Sequence, residues 1–156
     1  MKNLYFIIIV NLIAFSSLAQ NKQSNVLKKG NYTYYITKKW KVDTIALKAT
    51  LKEDLQKMLE NEADKDILVE SMMPKTIETF SSITLNFKKD GYSEMSFMAK
   101  TVNGKWFLSN DGKTLTIYER GQKQEIEVLE LNQNKLIIYM VRSEKERLRL
   151  PFIPAK

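Results

Sequence analysis

The chain has 156 residues, enough for one domain with a core. Its 44% hydrophobic and 28% charged residues belong to a folded protein, not a disordered one. It contains neither Cys nor His, which excludes disulfides, thiolate and imidazole metal sites, cysteine nucleophiles and any triad with a histidine base.

The N-terminus reads as an export signal. Met1-Lys2-Asn3 is a short positive n-region, Leu4 to Phe15 is apolar apart from Asn11, and Ser17 and Ala19 place small residues before a cut after Ala19. The apolar run is short for a span of about 20 residues, and no later segment is long and apolar enough to cross a bilayer. The sequence therefore predicts a signal peptide over 1–19, a flexible lead-in over 20–30, and an exported, periplasmic or secreted, domain over 31–156 with no transmembrane segment.

The formal charge is +7. Residues 22–57 hold nine lysines (Lys22, Lys28, Lys29, Lys38, Lys39, Lys41, Lys48, Lys52, Lys57) against Asp43, Glu53 and Asp54. Such a segment suits a solvated face, and equally a partner protein or an anionic surface. Arginine, which nucleic-acid readers use for bidentate base contacts, is scarce (Arg120, Arg142, Arg147, Arg149), so no nucleic-acid role is expected.

In chain order, Tyr32 to Thr37 has the aromatic and β-branched composition of a strand, and Trp40 to Ile45 alternates like its continuation. Thr50-Leu51-Lys52-Glu53 is a capping box. Leu51, Leu55, Met58 and Leu59, then Ile67, Leu68 and Met72, follow at helical spacing, and Pro74 is expected to close the region. A helical insertion over about 51–73 results, as one helix or two. From Thr76 the period becomes two. Ile83, Leu85 and Phe87 share a face; turns are expected at Asp90-Gly91, Asn103-Gly104, Asn110-Asp111-Gly112, Gly121, Asn132 to Asn134 and Ser143 to Lys145. The parity change from Val128 to Leu129 signals a bulge. Pro151 and Pro154 are expected to end the ladder. About eight strands joined by short hairpins give an all-β fold with a short helical insertion, an antiparallel up-and-down barrel whose edges pair by closure.

This order of parts resembles the lipocalin-like domain family of small exported bacterial proteins. The resemblance rests on Trp40 on the first barrel strand, the helical insertion, and the run Trp106-Phe107-Leu108-Ser109-Asn110-Asp111-Gly112-Lys113-Thr114-Leu115-Thr116-Ile117, similar to the family's central hairpin. It implies a barrel with a pocket for a small hydrophobic molecule, and a late Arg (Arg147 or Arg149) stacked over Trp40.

The chemistry-bearing candidates are few. Asp64, Asp66 and Glu70 cluster without the glycine and spacing of a calcium loop. Glu125 and Glu127 share a strand face and read as a solvated barrel exterior rather than a carboxylate pair for glycoside hydrolysis. No catalytic residue, metal site or cofactor is expected. The candidates for a ligand cavity are Trp40, Phe87, Tyr92, Met95, Phe97, Trp106, Leu115, Ile117, Ile138 and Met140; Leu108, Ile126, Val128 and Leu136 belong to the same expected inward face. A packed core needs the same side chains. The sequence thus supports a non-catalytic, lipocalin-like protein that binds a small apolar or amphipathic ligand. The alternative is an interaction module that uses its outer face or its basic N-terminal segment. The helical insertion is expected to cover one mouth of the barrel.

Overall fold

The computed structural model describes residues 31–141 and 147–156. These form a closed antiparallel barrel whose strands pair in chain order: β1 Lys39–Val42, β2 Thr84–Phe87, β3 Tyr92–Phe97, β4 Lys100–Leu108, β5 Thr114–Glu119, β6 Gln122–Leu131, β7 Leu136–Val141 and β8 Arg147–Pro154. Helix α1 (Tyr32–Ile36) precedes β1, and helices α2 (Thr44–Met58) and α3 (Lys65–Ser81) lie between β1 and β2. The up-and-down barrel is the architecture the alternation implies. The signal-like and lead-in residues and the Ser143 to Lys145 turn lie outside the described residues.

The alternation builds one core. Trp40, Val42, Leu85, Phe87, Trp106, Leu115, Val128, Leu136, Ile138, Leu150 and Phe152 are buried and point to the barrel axis. Phe87 and Trp106 meet edge to face, with centroids 5.5 Å apart. Each buried indole keeps its hydrogen bond: Trp40 Nε1–H donates to the Ile36 carbonyl (2.9 Å) and Trp106 Nε1–H to the Lys88 carbonyl (3.0 Å). The bulge falls where the parity change places it, between Val128 and Glu130 opposite β7.

Several local expectations are corrected. Tyr32 to Thr37 is not a strand; its first five residues form α1. A single turn of helix is unstable by itself, and tertiary contacts hold this one. Ile36 is fully buried, and the Tyr32 ring lies on Gly112, where a Cβ would come within 2.7 Å of it. The first strand likewise stops at Val42. Asp43 accepts from the backbone N–H groups of Ile45 and Ala46, so α2 starts at Thr44 and not near Leu51. The Thr50 hydroxyl bonds back to the Ala46 and Leu47 carbonyls inside the helix and caps nothing. The insertion is two helices, parted over residues 59–64. Nor does Pro74 end it: α3 runs through to Ser81. Pro74 and Glu70, whose carbonyl the proline leaves without a helical donor, both face water, while Met73 and Phe80 are buried and anchor the helix on each side.

The Asn103-Gly104 turn is also corrected. Both residues lie inside β4, opposite Glu94 and Ser93, and the hairpin turns at Met98-Ala99 with φ of 44° and 65°. A turn at Asn103 would cut β4 to a stub. Turning earlier gives six β3–β4 residue pairs, which outweigh about 1–2 kcal/mol per left-handed residue. Gly104 is needed for a different reason: a Cβ there would stand 2.6 Å from the Tyr118 carbonyl, so the close approach of β4 to β5 excludes a side chain.

Closure is finished by α2. β1 reaches only Phe152 to Pro154 of β8. Beyond it, the inner half of β8 presents backbone groups with no strand beside them. The Asp43 N–H donates to the Pro151 carbonyl (2.9 Å), and Asp54 Oδ2 accepts from the Arg149 N–H (2.9 Å). Asp54 is buried, and its carboxylate also takes the Arg149 guanidinium at 2.7 Å, while Glu53 takes the same guanidinium at 2.8 Å. The guanidinium is thereby held even more firmly protonated than usual. The two prolines expected to end the ladder sit inside β8 for the same reason. Pro151 lacks a donor on the side that β1 does not reach, and Pro154 pairs with Trp40 beyond the end of the β7 ladder.

Three outcomes test this description. Met98→Asn with Ala99→Gly relieves the left-handed turn and is expected to raise the urea midpoint by the equivalent of about 1 kcal/mol; an unchanged or lower midpoint counts against the strain. Asp54→Ala leaves the Arg149 N–H without its acceptor and the guanidinium with Glu53 alone, and is expected to cost about 2–4 kcal/mol in the same measurement. A loss below about 0.5 kcal/mol, the level of an exposed pair, would show that the latch does not matter.

The third concerns acid. Glu53 is lowered by its hydrogen bond and charge contact with Arg149, Glu94 by hydrogen bonds from Lys88 and Asn86, and Asp111 by hydrogen bonds from the Ser109 hydroxyl and the Lys113 N–H. Their folded values lie below the unfolded ones. Their contributions, small because all three are exposed, are therefore present above about pH 4 and lost as the pH falls through the folded values. The midpoint is expected to be flat near neutrality and to fall below about pH 4. A midpoint that rises on acidification contradicts the assignment.

Candidate ligand site at the open end of the barrel

Burial is graded along the inward face, in the same direction on every strand from β3 to β8. On β3, Ser93 is buried while Met95 and Phe97 are half-buried. On β4 the order from buried to exposed is Trp106, Gly104 and Val102, then Lys100. Leu115 gives way to Ile117 and Glu119, Val128 to Ile126 and Gln124, Ile138 to Met140, and Leu150 to Leu148. One end of the barrel is therefore sealed and the other open.

The sealed end carries the turns β2–β3, β4–β5 and β6–β7. α1 closes it: Ile36 and the Tyr32 ring pack there, and Lys38 Nζ donates to the Gln133 carbonyl of the β6–β7 turn. At the other end α2 and α3 bury Leu47, Leu51, Leu55, Val69, Met73 and Phe80, α2 lying on β8 and α3 on α2 and β1. On the β3 to β6 side of that mouth the inward side chains stay half-buried, and the end of α3 reaches it at the β3–β4 turn, where the Ser82 hydroxyl accepts from the Met98 N–H (3.3 Å).

Among the described residues the sealed half is packed with the buried side chains named above. A recess of about 20 Å³ lies among β2 to β6. The floor is Leu85, Phe87, Met95, Val102 and Ile117; the polar lining includes Ser93, Glu119 and Gln124. A space of that size holds one water-sized group.

The ten sequence candidates divide on this geometry. Trp40, Phe87, Trp106, Leu115 and Ile138 form the sealed, packed half. Met95, Phe97, Ile117 and Met140 are half-buried at the open end, packed on the core from one side. Tyr92 does not belong with either group. It points outward, 51% exposed, with Lys105 Nζ 5.9 Å from its ring. A period of two makes this necessary: if Met95 and Phe97 face in, Ser93 does too and Tyr92 cannot. That parity was available in the sequence and would have found Ser93. Glu119 and Gln124 follow by the same count from Leu115 and Val128. Their polarity hid them.

Other expected contacts also move. The cation over Trp40 is Lys38, 5.3 Å from the ring centroid, not an arginine. Arg147 stacks on Tyr139 (4.0 Å) and bonds Glu127; Arg149 serves Asp54 and Glu53. Glu125 pairs with Lys123, so Glu125 and Glu127 each have a cation of their own. In the basic segment Lys38 is engaged as above and Lys52 pairs with Glu70; Lys22, Lys28 and Lys29 lie outside the described residues. Among the described residues no group of three acidic side chains could hold a metal ion, and no helix is long and apolar enough to cross a membrane, which says nothing of a β-barrel.

No family model and no curated protein matches the chain. Among solved structures it is similar to a DUF4847 family protein from Bacteroides vulgatus ATCC 8482, at 15% identity over 81% of this chain and 99% of that one, with a TM-score of 0.48. The barrel itself rests on the strand pairing above.

Proposed function

We propose that this chain is an exported, non-catalytic, lipocalin-like barrel that holds a small apolar or amphipathic ligand at its open end. One observation carries the reading: the inward-facing Met95, Phe97, Ile117, Ile126, Met140 and Leu148 remain half-buried although each stands on the core side of its strand. Apolar groups on the axis of a closed barrel gain from being covered, at about 25 cal/mol per Å². Here the helices make their main strand contacts with β8 and β1, and the inward side chains from β3 to β6 stay half-buried at that end. Unbranched Met95 and Met140 adapt to ligands of different outline, and polar groups beside an apolar floor are the usual makeup of a small-molecule site. Export follows from the N-terminal signal pattern, and the basic exterior keeps such a protein in solution.

The packed sealed half changes where the ligand sits. It lies across the mouth, with its end in the recess, and does not occupy a central cavity. Methionine-methyl NMR reads this directly. Titration with decanol is expected to shift the Met95 and Met140 methyl signals saturably and to leave Met58 and Met73, which belong to the helices, unmoved. Ile117→Glu places a charge in the floor and is expected to weaken binding about tenfold or more. Shifts that never saturate, or that spread equally over all methionines, would remove the proposal.

A further inference from the structure

The outside of the barrel departs from the polar pattern of a solvated face on β3 to β5. The outward positions of these strands are polar except for Tyr92, Phe107 and Tyr118, which are between 40% and 60% exposed. The register makes the three neighbours. Tyr92 stands opposite Lys105, Lys105 opposite Tyr118, and Tyr118 opposite Lys123. A row of alternating rings and ammonium groups therefore crosses four strands. Phe107 joins it from the side, edge to face with Tyr118 at 5.9 Å, and Lys105 Nζ lies 5.9 Å from the Tyr92 ring centroid. Apolar side chains scattered singly over a surface need no reason, but contiguous aromatic ones that serve no core mark a contact site.

The charge of this face is one-sided. The carboxylates on the outside of β3 to β6 each hold a cation: Glu94 takes Lys88, Glu125 takes Lys123, Glu127 takes Arg147 and Glu130 takes Lys135. Lys105 is exposed and makes no ion pair among the described residues; its contact is with the Tyr92 ring. The middle of the aromatic row thus carries a positive charge that no carboxylate cancels.

We propose that this row binds an acidic polysaccharide lying across β3 to β5. The partner has to be flat, because the outside of a barrel is convex and offers no groove. It has to stack on rings, and it has to bring a negative charge to Lys105. A chain of uronic acids does all three. The C–H face of a sugar packs on an aromatic ring, its hydroxyls reach the phenol groups of Tyr92 and Tyr118 and the outward hydroxyl of Thr116, and its carboxylate meets the ammonium. Tyr92 and Tyr118 stand two strand spacings apart, about 10 Å, so they take different sugars of one chain, and Lys105 stands between them. A second copy of this chain fits less well, since a self-complementary contact would set one positive row against another. An anionic bilayer needs apolar side chains to sink below its headgroups, and Phe107 alone of the three rings lacks a hydroxyl. The site is on the outside of the barrel and is independent of the ligand at its open end.

The test is calorimetry of the full chain at low ionic strength, with hexagalacturonate, its neutral methyl ester and polyphosphate. Hexagalacturonate is expected to bind saturably, and about threefold or more tighter than the ester. Lys105→Gln is expected to remove that difference. Tyr118→Thr is expected to weaken both saccharides about fivefold or more and to leave polyphosphate, which has charge but no rings, unchanged. Tyr92→Thr reads the same loss if Tyr118→Thr lowers the urea midpoint. Lys48→Gln, on α2, is expected to change nothing. Equal affinity for acid and ester, a loss with Lys48→Gln as large as with Lys105→Gln, ring variants that weaken polyphosphate as much as the saccharides, or binding to anionic phospholipid vesicles alone overturns the proposal. Each of these outcomes leaves the decanol titration of the open end unaffected.

Discussion

The seam between the first and last strands decides the rest of this structure. A barrel of eight strands needs every edge paired, yet β1 has four residues and β8 has eight. The chain leaves the sheet at Asp43 because that side chain caps a helix better than it continues a strand. Two aspartates of the departing segment then finish the edge. The Asp43 backbone donates to Pro151, and the Asp54 carboxylate accepts from Arg149. A proline at 151 fits because its missing donor would have had no strand acceptor.

That seam also explains why the two ends differ. Helix α2 must lie along β8, so α2 and the α3 packed on it are committed to the β8 and β1 side. Toward β3 they reach only as far as the bond from the Met98 N–H to the Ser82 hydroxyl among the hydrogen bonds of the described residues. The opposite end has no such demand and is shut by one turn of helix, the Tyr32 ring on Gly112 and two hydrogen-bonded indoles. Large aromatic side chains fill the shut half. Methionine, phenylalanine and isoleucine line the open half with one face still wet. The recess lies where the filled half stops, and β4 comes so close to β5 at Gly104 that no side chain fits between them.

Much of this was legible from periodicity. The inward residues of β2 and of β5 through β8, the bulge after Val128, and the turns at Gly91, Gly112 and Gly121 all follow from a period of two and the glycines that interrupt it. What failed were local rules overruled by distant contacts. The composition of Tyr32 to Ile36 favours a strand, but that segment's task is to plug a hole. Thr50 to Glu53 spells a cap that Asp43 had already made unnecessary at the start of the same helix. Asn103-Gly104 has the strongest turn chemistry in the chain and is drawn straight because six pairs outweigh two strained residues. Ser93, Glu119 and Gln124 are polar residues at inward positions, which alternation places and hydrophobicity does not.

The arginine expected over Trp40 shows how such departures are linked. Lys38 stands two residues before Trp40 and supplies the cation, while its ammonium also ties β1 to the β6–β7 turn through Gln133. Arg149 is thereby released. Its planar fork, with several donors in fixed directions, suits two carboxylates on one helix better than a lysine would, and it is placed where the seam needs a charge to hold Asp54 against burial. The lysine at the sealed end does what the resemblance assigned to a late arginine, and that arginine serves the seam instead. With Asp54 and Arg149 joined beyond Val42, a strand of four residues suffices to close the barrel.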